Sequence, residues 1–184
     1  MSGLPNVARI FTPVAESMLA GSAPPHRFYV FLHTPNRPTD YPARVSSKVQ
    51  RALQLNVLKL GGLVNFSWSA EQPVLVGVGG VGGVQEMDEA YAATAFSPSG
   101  RLDIPSLSSS NMAEVVATLT SHANSPSITQ TFDDVHLYVC THGARDCRCG
   151  DRGGLVVKAL RDEVERRNLK HVKVGEVGHV GGHK

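Results

Sequence analysis

Two short segments near the C-terminus carry residues that can bind a metal. Residues 139–150 read VCTHGARDCRCG and contain all three cysteines, and the chain ends with HVGGHK. Cys140 and Cys149 are separated by eight residues, and His179 and His183 are separated by three. Thiolates and imidazoles are ligands that zinc and iron-sulfur groups take in proteins. The pattern therefore predicts a metal centre, for which the remaining chain acts as a scaffold.

The arrangement resembles the sucrase/ferredoxin-like family. The resemblance rests on the run CTHGARDCRCG that starts at Cys140 and the run HVGGH that starts at His179. In one branch of this family, a thioredoxin-like ferredoxin domain holds a 2Fe-2S cluster through Cys-x8-Cys and His-x3-His. The resemblance implies that the cluster ligands are Cys140, Cys149, His179 and His183.

The resemblance also implies a fold. It is strong over residues 136–184, loose over about 16–60, where LAGSA at 19–23 precedes a strand-like run, and thin between these ranges. Family members continue past the second histidine with further strands and a closing helix. We therefore expect an α/β, thioredoxin-like chain in which a degenerate N-terminal half is followed by a C-terminally shortened ferredoxin half.

Four more residues of the cysteine segment lie next to the expected ligands. Cys147 matches no ligand position of the family pattern and is interpreted as a free thiol near the cluster. Cys140 and His142 form C-x-H, one half of a Rieske motif, but the C-x-x-H half is absent. His142 is therefore interpreted as a hydrogen-bonding neighbour. Arg145 and Asp146 either brace the loop as an ion pair or place a positive charge near the cluster.

The implied ligand set has consequences for the chemistry of the site. Two neutral imidazoles in place of two thiolates make the site less negative, so its reduction potential should exceed that of plant-type ferredoxins. Each imidazole also has a second nitrogen that can couple electron transfer to a proton. We therefore expect a one-electron carrier that meets a redox partner protein, in preference to a substrate-converting enzyme.

Two other functions would use the same residues differently. A structural zinc module would hold one zinc ion through the same cysteines and histidines, and it would be colourless and redox-inactive. A nucleotide-dependent redox enzyme would use the cysteines as thiol groups. Sucrase activity has no support, because no paired carboxylates for glycoside hydrolysis stand out.

The nucleotide-dependent alternative depends on a glycine-rich stretch at 77–83. Gly77, Gly79 and Gly82 match G-x-G-x-x-G and precede a helix-compatible stretch at 84–94, with Asp103 about twenty residues downstream. The simpler interpretation is a flexible turn after a strand, because a glycine-rich stretch matches this pattern easily. No repeated β-α-β order surrounds it.

The elements that position the expected ligands can be predicted from residue patterns. Residues 136–139 are predicted as a strand that ends at Cys140, and 171–174 as a second strand parallel to the first. A helix is predicted between them over 154–169 from three apolar residues on one face: Val156, Leu160 and Val164. Two i,i+4 ion pairs are expected on its other face: Asp162 with Arg166 and Glu163 with Arg167. Both ligand pairs would then lie at the same end of neighbouring strands.

Four ranges describe the predicted organisation of the chain. Residues 1–26, with four prolines, form an extended segment; 27–123 form an α/β, thioredoxin-like region; 124–135 form a connector; and 136–184 form the ferredoxin region. Strands are predicted at 27–34, 63–68 and 101–104, a turn at 97–100, and a helix at 112–122. A further helix is predicted from Ala43 to Gly61 because apolar residues recur every four positions: Val45, Val49, Leu53 and Val57.

Composition narrows the classes of function. The chain has 184 residues, of which 41% are hydrophobic and 18% charged, as in an ordinary soluble protein. A net charge of +2 without a basic run argues against nucleic acid as a partner. No apolar run reaches the ~20 residues that span a bilayer. Crowded cysteines favour a reducing compartment, cytoplasmic or mitochondrial, over secretion.

Overall fold

The computed structural model describes residues 26–72, 89–126 and 134–181. These ranges contain six strands: β1 Phe28–His33, β2 Gly62–Trp68, β3 Ala90–Ser97, β4 Gly100–Ser108, β5 Val135–Cys140 and β6 Val172–Val177. They also contain three α-helices: α1 Lys48–Lys59, α2 Met112–Asn124 and α3 Gly154–Arg166. Among the helices in these ranges, none is long and apolar enough to cross a lipid bilayer.

The six strands form one mixed sheet in the order β4-β3-β1-β2-β6-β5. Strands β1 and β2 are parallel, whereas β3 runs antiparallel to both β1 and β4. Strands β5 and β6 are parallel to each other, as predicted, and β6 joins β2 through only two residue pairs, Ser67 with Val177 and Trp68 with Glu176. The prediction of an α/β, thioredoxin-like fold is confirmed.

Helix α1 supplies much of the core because its apolar residues recur every four positions. Val49, Leu53 and Val57 are fully buried against the sheet. The helix begins at Lys48, later than the predicted Ala43, because the Ser47 hydroxyl accepts the backbone N–H of Gln50 and caps the helix there. The loop before this helix contacts His142 through the carbonyl oxygen of Pro42.

The prediction of a helix-compatible stretch at 84–94 is wrong for residues 90–94. These residues belong to β3, which begins at Ala90. Tyr91, Ala93 and Ala95 alternate into the core, and the strand pairs on both sides. This two-sided pairing outweighs the helix propensity of the alanines. The glycines of the possible nucleotide loop lie outside the described residues, so that loop stays a prediction.

Two further boundaries differ from the prediction. Strand β4 continues to Ser108, past the predicted 101–104. It can include Pro105 because it lies at the edge of the sheet and its register with β3 shifts at this proline. Helix α3 ends at Arg166, before the predicted Leu169, because Asn168 adopts a left-handed conformation with φ of 53°.

The ion pairs on the exposed face of α3 follow the prediction in part. Glu163 pairs with Arg167 as predicted, and it also pairs with Arg166. Asp162 pairs with Lys158 one turn earlier, so the predicted pair of Asp162 with Arg166 is wrong. The guanidinium of Arg166 is held instead by two hydrogen bonds to Glu163.

Candidate metal centre

Three residues of the predicted ligand set come together where β5 and β6 end. Cys140 is the last residue of β5 and pairs with Val177, the last residue of β6. Because the two strands are parallel, the chain that leaves β6 carries His179 past Cys140. Cys149 reaches the same place from the turn before α3, and one ligand atom of each residue lies within 4.8 Å of the others. His183 lies outside the described residues.

Asp146 braces the turn that presents Cys149. This turn is π-helical, spans Cys149–Gly153 and leads directly into α3. The Asp146 carbonyl accepts the backbone N–H groups of Cys149 and Gly150, at 3.0 and 3.3 Å. Its carboxylate accepts the backbone N–H of Arg148 at 2.9 Å and forms an ion pair with the Arg148 guanidinium at 2.8 Å. The turn is therefore held from both the backbone and the side chain of Asp146.

His142 is buried and fastens the segment that contains His179. Its Nε2 lies 3.0 Å from the carbonyl oxygen of Pro42, and its Nδ1 lies 3.4 Å from the backbone nitrogen of His179. A carbonyl can only accept and a backbone N–H can only donate, so the geometry requires the neutral tautomer with the proton on Nε2. His142 thus ties His179 to the loop before α1. Both of its ring nitrogens are used in doing so.

Two other predicted neighbours of the site are exposed. Cys147 is an exposed free thiol and does not belong to the group of converging ligand atoms. Arg145 is also exposed, and it lines a cavity beside His179. Within the described residues, neither side chain has hydrogen bonds like those that fix His142 and Asp146.

A buried carboxylate next to the site was not anticipated from the sequence. Glu176 in β6 is fully buried, and its Oε1 accepts hydrogen bonds from Arg37 at 2.7 Å and Arg161 at 3.1 Å. Its Oε2 accepts the Thr141 hydroxyl at 3.0 Å. Both guanidinium groups also lie over the ring of Trp68. Since Thr141 directly follows Cys140, the first candidate ligand, Glu176 fixes the end of β5.

The donor atoms fit a soft or borderline metal. Two sulfurs and an imidazole nitrogen are the donors that zinc and iron-sulfur groups take. Burial, and after it the adjacent Cys140, raises the pKa of the Cys149 thiol well above its usual range. The metal-free site therefore keeps this thiol protonated near neutral pH. A bound cation would favour the thiolate, so metal binding should release protons.

Gly153 lies so close to the end of β5 that a side chain does not fit there. A Cβ atom at this position would lie 2.1 Å from the backbone carbonyl oxygen of Cys140. The change Gly153→Ala is therefore expected to push the turn away from β5, to lower the free energy of unfolding by about 1–3 kcal/mol, and to reduce metal retention. Chemical denaturation and metal analysis measure the two effects.

The next residue gives a matched control for this change. A Cβ atom on Gly154 meets no heavy atom within 4 Å, and Gly154 is the first residue of α3. Gly154→Ala should leave the stability and the metal content at or above those of the original chain, since alanine favours a helix over glycine. Equal behaviour of the two variants would contradict the close packing at Gly153.

Comparisons with known proteins agree with the resemblance noted in the sequence. A family model described as Sucrase/ferredoxin-like matches residues 19–184. A relative from Meyerozyma guilliermondii, "Altered inheritance of mitochondria protein 32", is 40% identical over 55 residues, which are 29% of this chain and 20% of that protein. The match thus spans about a fifth of the relative's length. No solved structure matches the chain significantly.

Proposed function

Because this chain belongs to the sucrase/ferredoxin-like family, we propose that it is an iron-sulfur protein that carries single electrons. The observation that supports the proposal is the convergence of Cys140, Cys149 and His179 within 4.8 Å at the ends of β5 and β6. We assign the fourth ligand position to His183, from its spacing to His179. When bound, a 2Fe-2S group with this ligand set would supply a one-electron couple.

The residues around the ligands hold the site in shape before any metal binds. Asp146 braces the turn of Cys149, His142 holds the backbone of His179, and Glu176 holds Thr141 after Cys140. Each of the three described ligands therefore has its own support from a neighbouring residue. Such supports reduce the rearrangement needed on binding and are typical of metal sites. His179 is only half-buried, so it gives the site a side that a partner can approach.

A structural zinc site is the second candidate, and one distance favours it. The Cys149 Sγ lies 3.6 Å from the His179 Nδ1. Zn–S and Zn–N distances of about 2.3 and 2.0–2.1 Å give a tetrahedron with an S···N edge of about 3.5 Å. The ligand atoms of Cys149 and His179 are therefore already spaced for a single ion. A larger cluster requires the site to widen by movement of the His179 segment.

The cellular setting remains a proposal. The name of the relative from Meyerozyma guilliermondii refers to the inheritance of mitochondria. We place the present chain in the mitochondrion or the cytoplasm, where free cysteines stay reduced. Its partner there would be a redox protein.

The substitution His179→Cys separates the two candidates. If His179 is a ligand of an iron-sulfur group, replacing a neutral imidazole with a thiolate should lower the reduction potential, by on the order of a hundred millivolts. Protein-film voltammetry of the two proteins measures the shift. A zinc module would show no redox couple in either form. A couple with an unchanged potential would mean that His179 is not a ligand.

A further inference from the structure

An open cavity of about 770 Å³ lies directly beside His179. One wall is the first part of α1 and the loop before it, including Arg44 and Arg51. The opposite wall is formed by Arg145 of the cysteine segment and by residues 178–181 after β6. His142 lies between the two walls and is bonded to both of them. The cavity therefore belongs to a stretch of surface that is rigidly connected to the candidate metal centre.

The cavity is positively charged. Arg44, Arg51 and Arg145 are exposed and line it, and no aspartate or glutamate is among the described residues of its lining. Helix α1 also has no acidic residue in its first turn, and the N-terminus of a helix carries a partial positive charge. The Glu89 carboxylate accepts the backbone N–H of Val49 at 2.9 Å and so offsets the partial charge of this helix end. The positive charge of the cavity therefore comes from its three arginines.

The three arginines differ from most other arginines of the described ranges in having no carboxylate partner. Arg37, Arg101, Arg148, Arg161, Arg166 and Arg167 each form an ion pair within those ranges. Arg44, Arg51 and Arg145 form none with the described residues. Three arginines without an ion pair to any described residue, from the α1 region and from the cysteine segment, thus lie around one cavity. Arginine is also the residue best suited to bind carboxylates in a bidentate way.

We propose that this cavity is the docking surface for an acidic redox partner protein. This inference rests on the proposed electron-carrier function. Carboxylates of the partner would approach Arg44, Arg51 and Arg145, which brings the partner next to the half-buried His179. One electron would then pass between the two proteins, so that one is oxidised as the other is reduced, and no bond is made or broken. Charge complementarity of this kind mainly speeds encounter and fixes orientation.

Binding of an acidic probe tests the surface independently of electron transfer. A short poly-L-glutamate peptide is titrated into the isotope-labelled full chain, as purified, and followed by NMR. The largest shifts are expected at 44–54, 142–145 and 178–181, and the affinity should fall as salt is added. The double change Arg51→Glu with Arg145→Glu should weaken binding by about tenfold or more. Shifts that cluster elsewhere would overturn the proposal.

A matched control removes the effect of net charge alone. Arg166→Glu with Arg167→Glu changes the charge by the same amount at the exposed end of α3, and neither residue is among the described residues that line the cavity. This variant should bind the peptide nearly as well as the original chain. An equal loss of affinity in both double variants would show that only net charge matters, and it would overturn the docking surface.

Small oxidants separate a failure of the docking surface from a failure of the electron-carrier function. The reduced protein should react with anionic ferricyanide more slowly after the cavity change, and with cationic hexaamminecobalt(III) faster. Unchanged rates with both oxidants would overturn the docking surface and leave the electron carrier intact. Peptide binding at the cavity in a protein without any redox couple would overturn the electron transfer and keep the acidic-partner surface.

Discussion

Cys149→Ser is expected to abolish metal retention, whereas Cys147→Ser is expected to leave it unchanged. The two cysteines are two residues apart, but only Cys149 is buried and has its sulfur near Cys140 and His179. A serine hydroxyl is a poor ligand for the metals that thiolates prefer. Loss of one of two sulfur ligands should therefore reduce the metal content of the purified protein to background. Elemental analysis of both variants, side by side, measures this.

The two serine variants also show whether metal is lost because the protein unfolds. Cysteine and serine have similar shapes, so the metal-free Cys149→Ser protein should keep a circular dichroism spectrum with helix and strand content. Cys147 is exposed, so Cys147→Ser should change neither the metal content nor the circular dichroism spectrum. Metal retained by Cys149→Ser, or lost on Cys147→Ser alone, would contradict the ligand assignment.

Glu176→Ala is expected to cause the largest loss of stability of the substitutions considered. The carboxylate is fully buried and holds Arg37, Arg161 and Thr141 at once. Removing one member of a buried ion pair costs roughly 3–5 kcal/mol, because the remaining charge loses its partner. Both arginines are partly exposed here, so water can hydrogen-bond to them after the carboxylate is removed. The free energy of unfolding is therefore expected to fall by about 2–3 kcal/mol. Urea denaturation measures the change.

Two further variants show whether the buried charge is responsible. Glu176→Gln keeps the shape of the side chain and an oxygen that can accept from Thr141, so it should lose less stability than Glu176→Ala. Glu163→Ala removes a carboxylate that also pairs with two arginines, but on the exposed face of α3, and should cause no comparable loss. Equal effects of Glu176→Ala and Glu163→Ala would contradict the importance of burial.

Local patterns were enough to predict the elements that carry the ligands. The apolar runs before Cys140 and in β6 indicated strands, and the amphipathic pattern of α3 indicated a helix. The predicted face of α3 was wrong in one residue, because Val157 is buried there and Val156 is exposed. A strand, a helix and a second strand in succession predict a parallel pair, and such a pair places Cys140 and His179 at one end. The predicted parallel pair therefore explains why these two candidate ligands lie close together.

Features that depend on distant packing could not be predicted in the same way. Glu176 lies beyond the strand predicted at 171–174, although β6 continues to Val177, and its partner Arg37 lies 139 residues away. The basic cavity joins Arg44 and Arg51 with Arg145, which lies more than ninety residues later in the chain, and the three form no basic run. Strand β3 was missed for a similar reason, since its alanines favour a helix and only its pairing with two neighbours makes it a strand.

A visible absorption spectrum is the most direct test of the central claim. The full chain is purified without oxygen, and its spectrum is recorded before and after reduction with dithionite, with iron and zinc quantified in the same sample. The proposed function predicts a coloured protein whose visible bands bleach on reduction, with about two iron atoms per chain. A colourless protein with about one zinc ion per chain would contradict it and establish the structural zinc site instead.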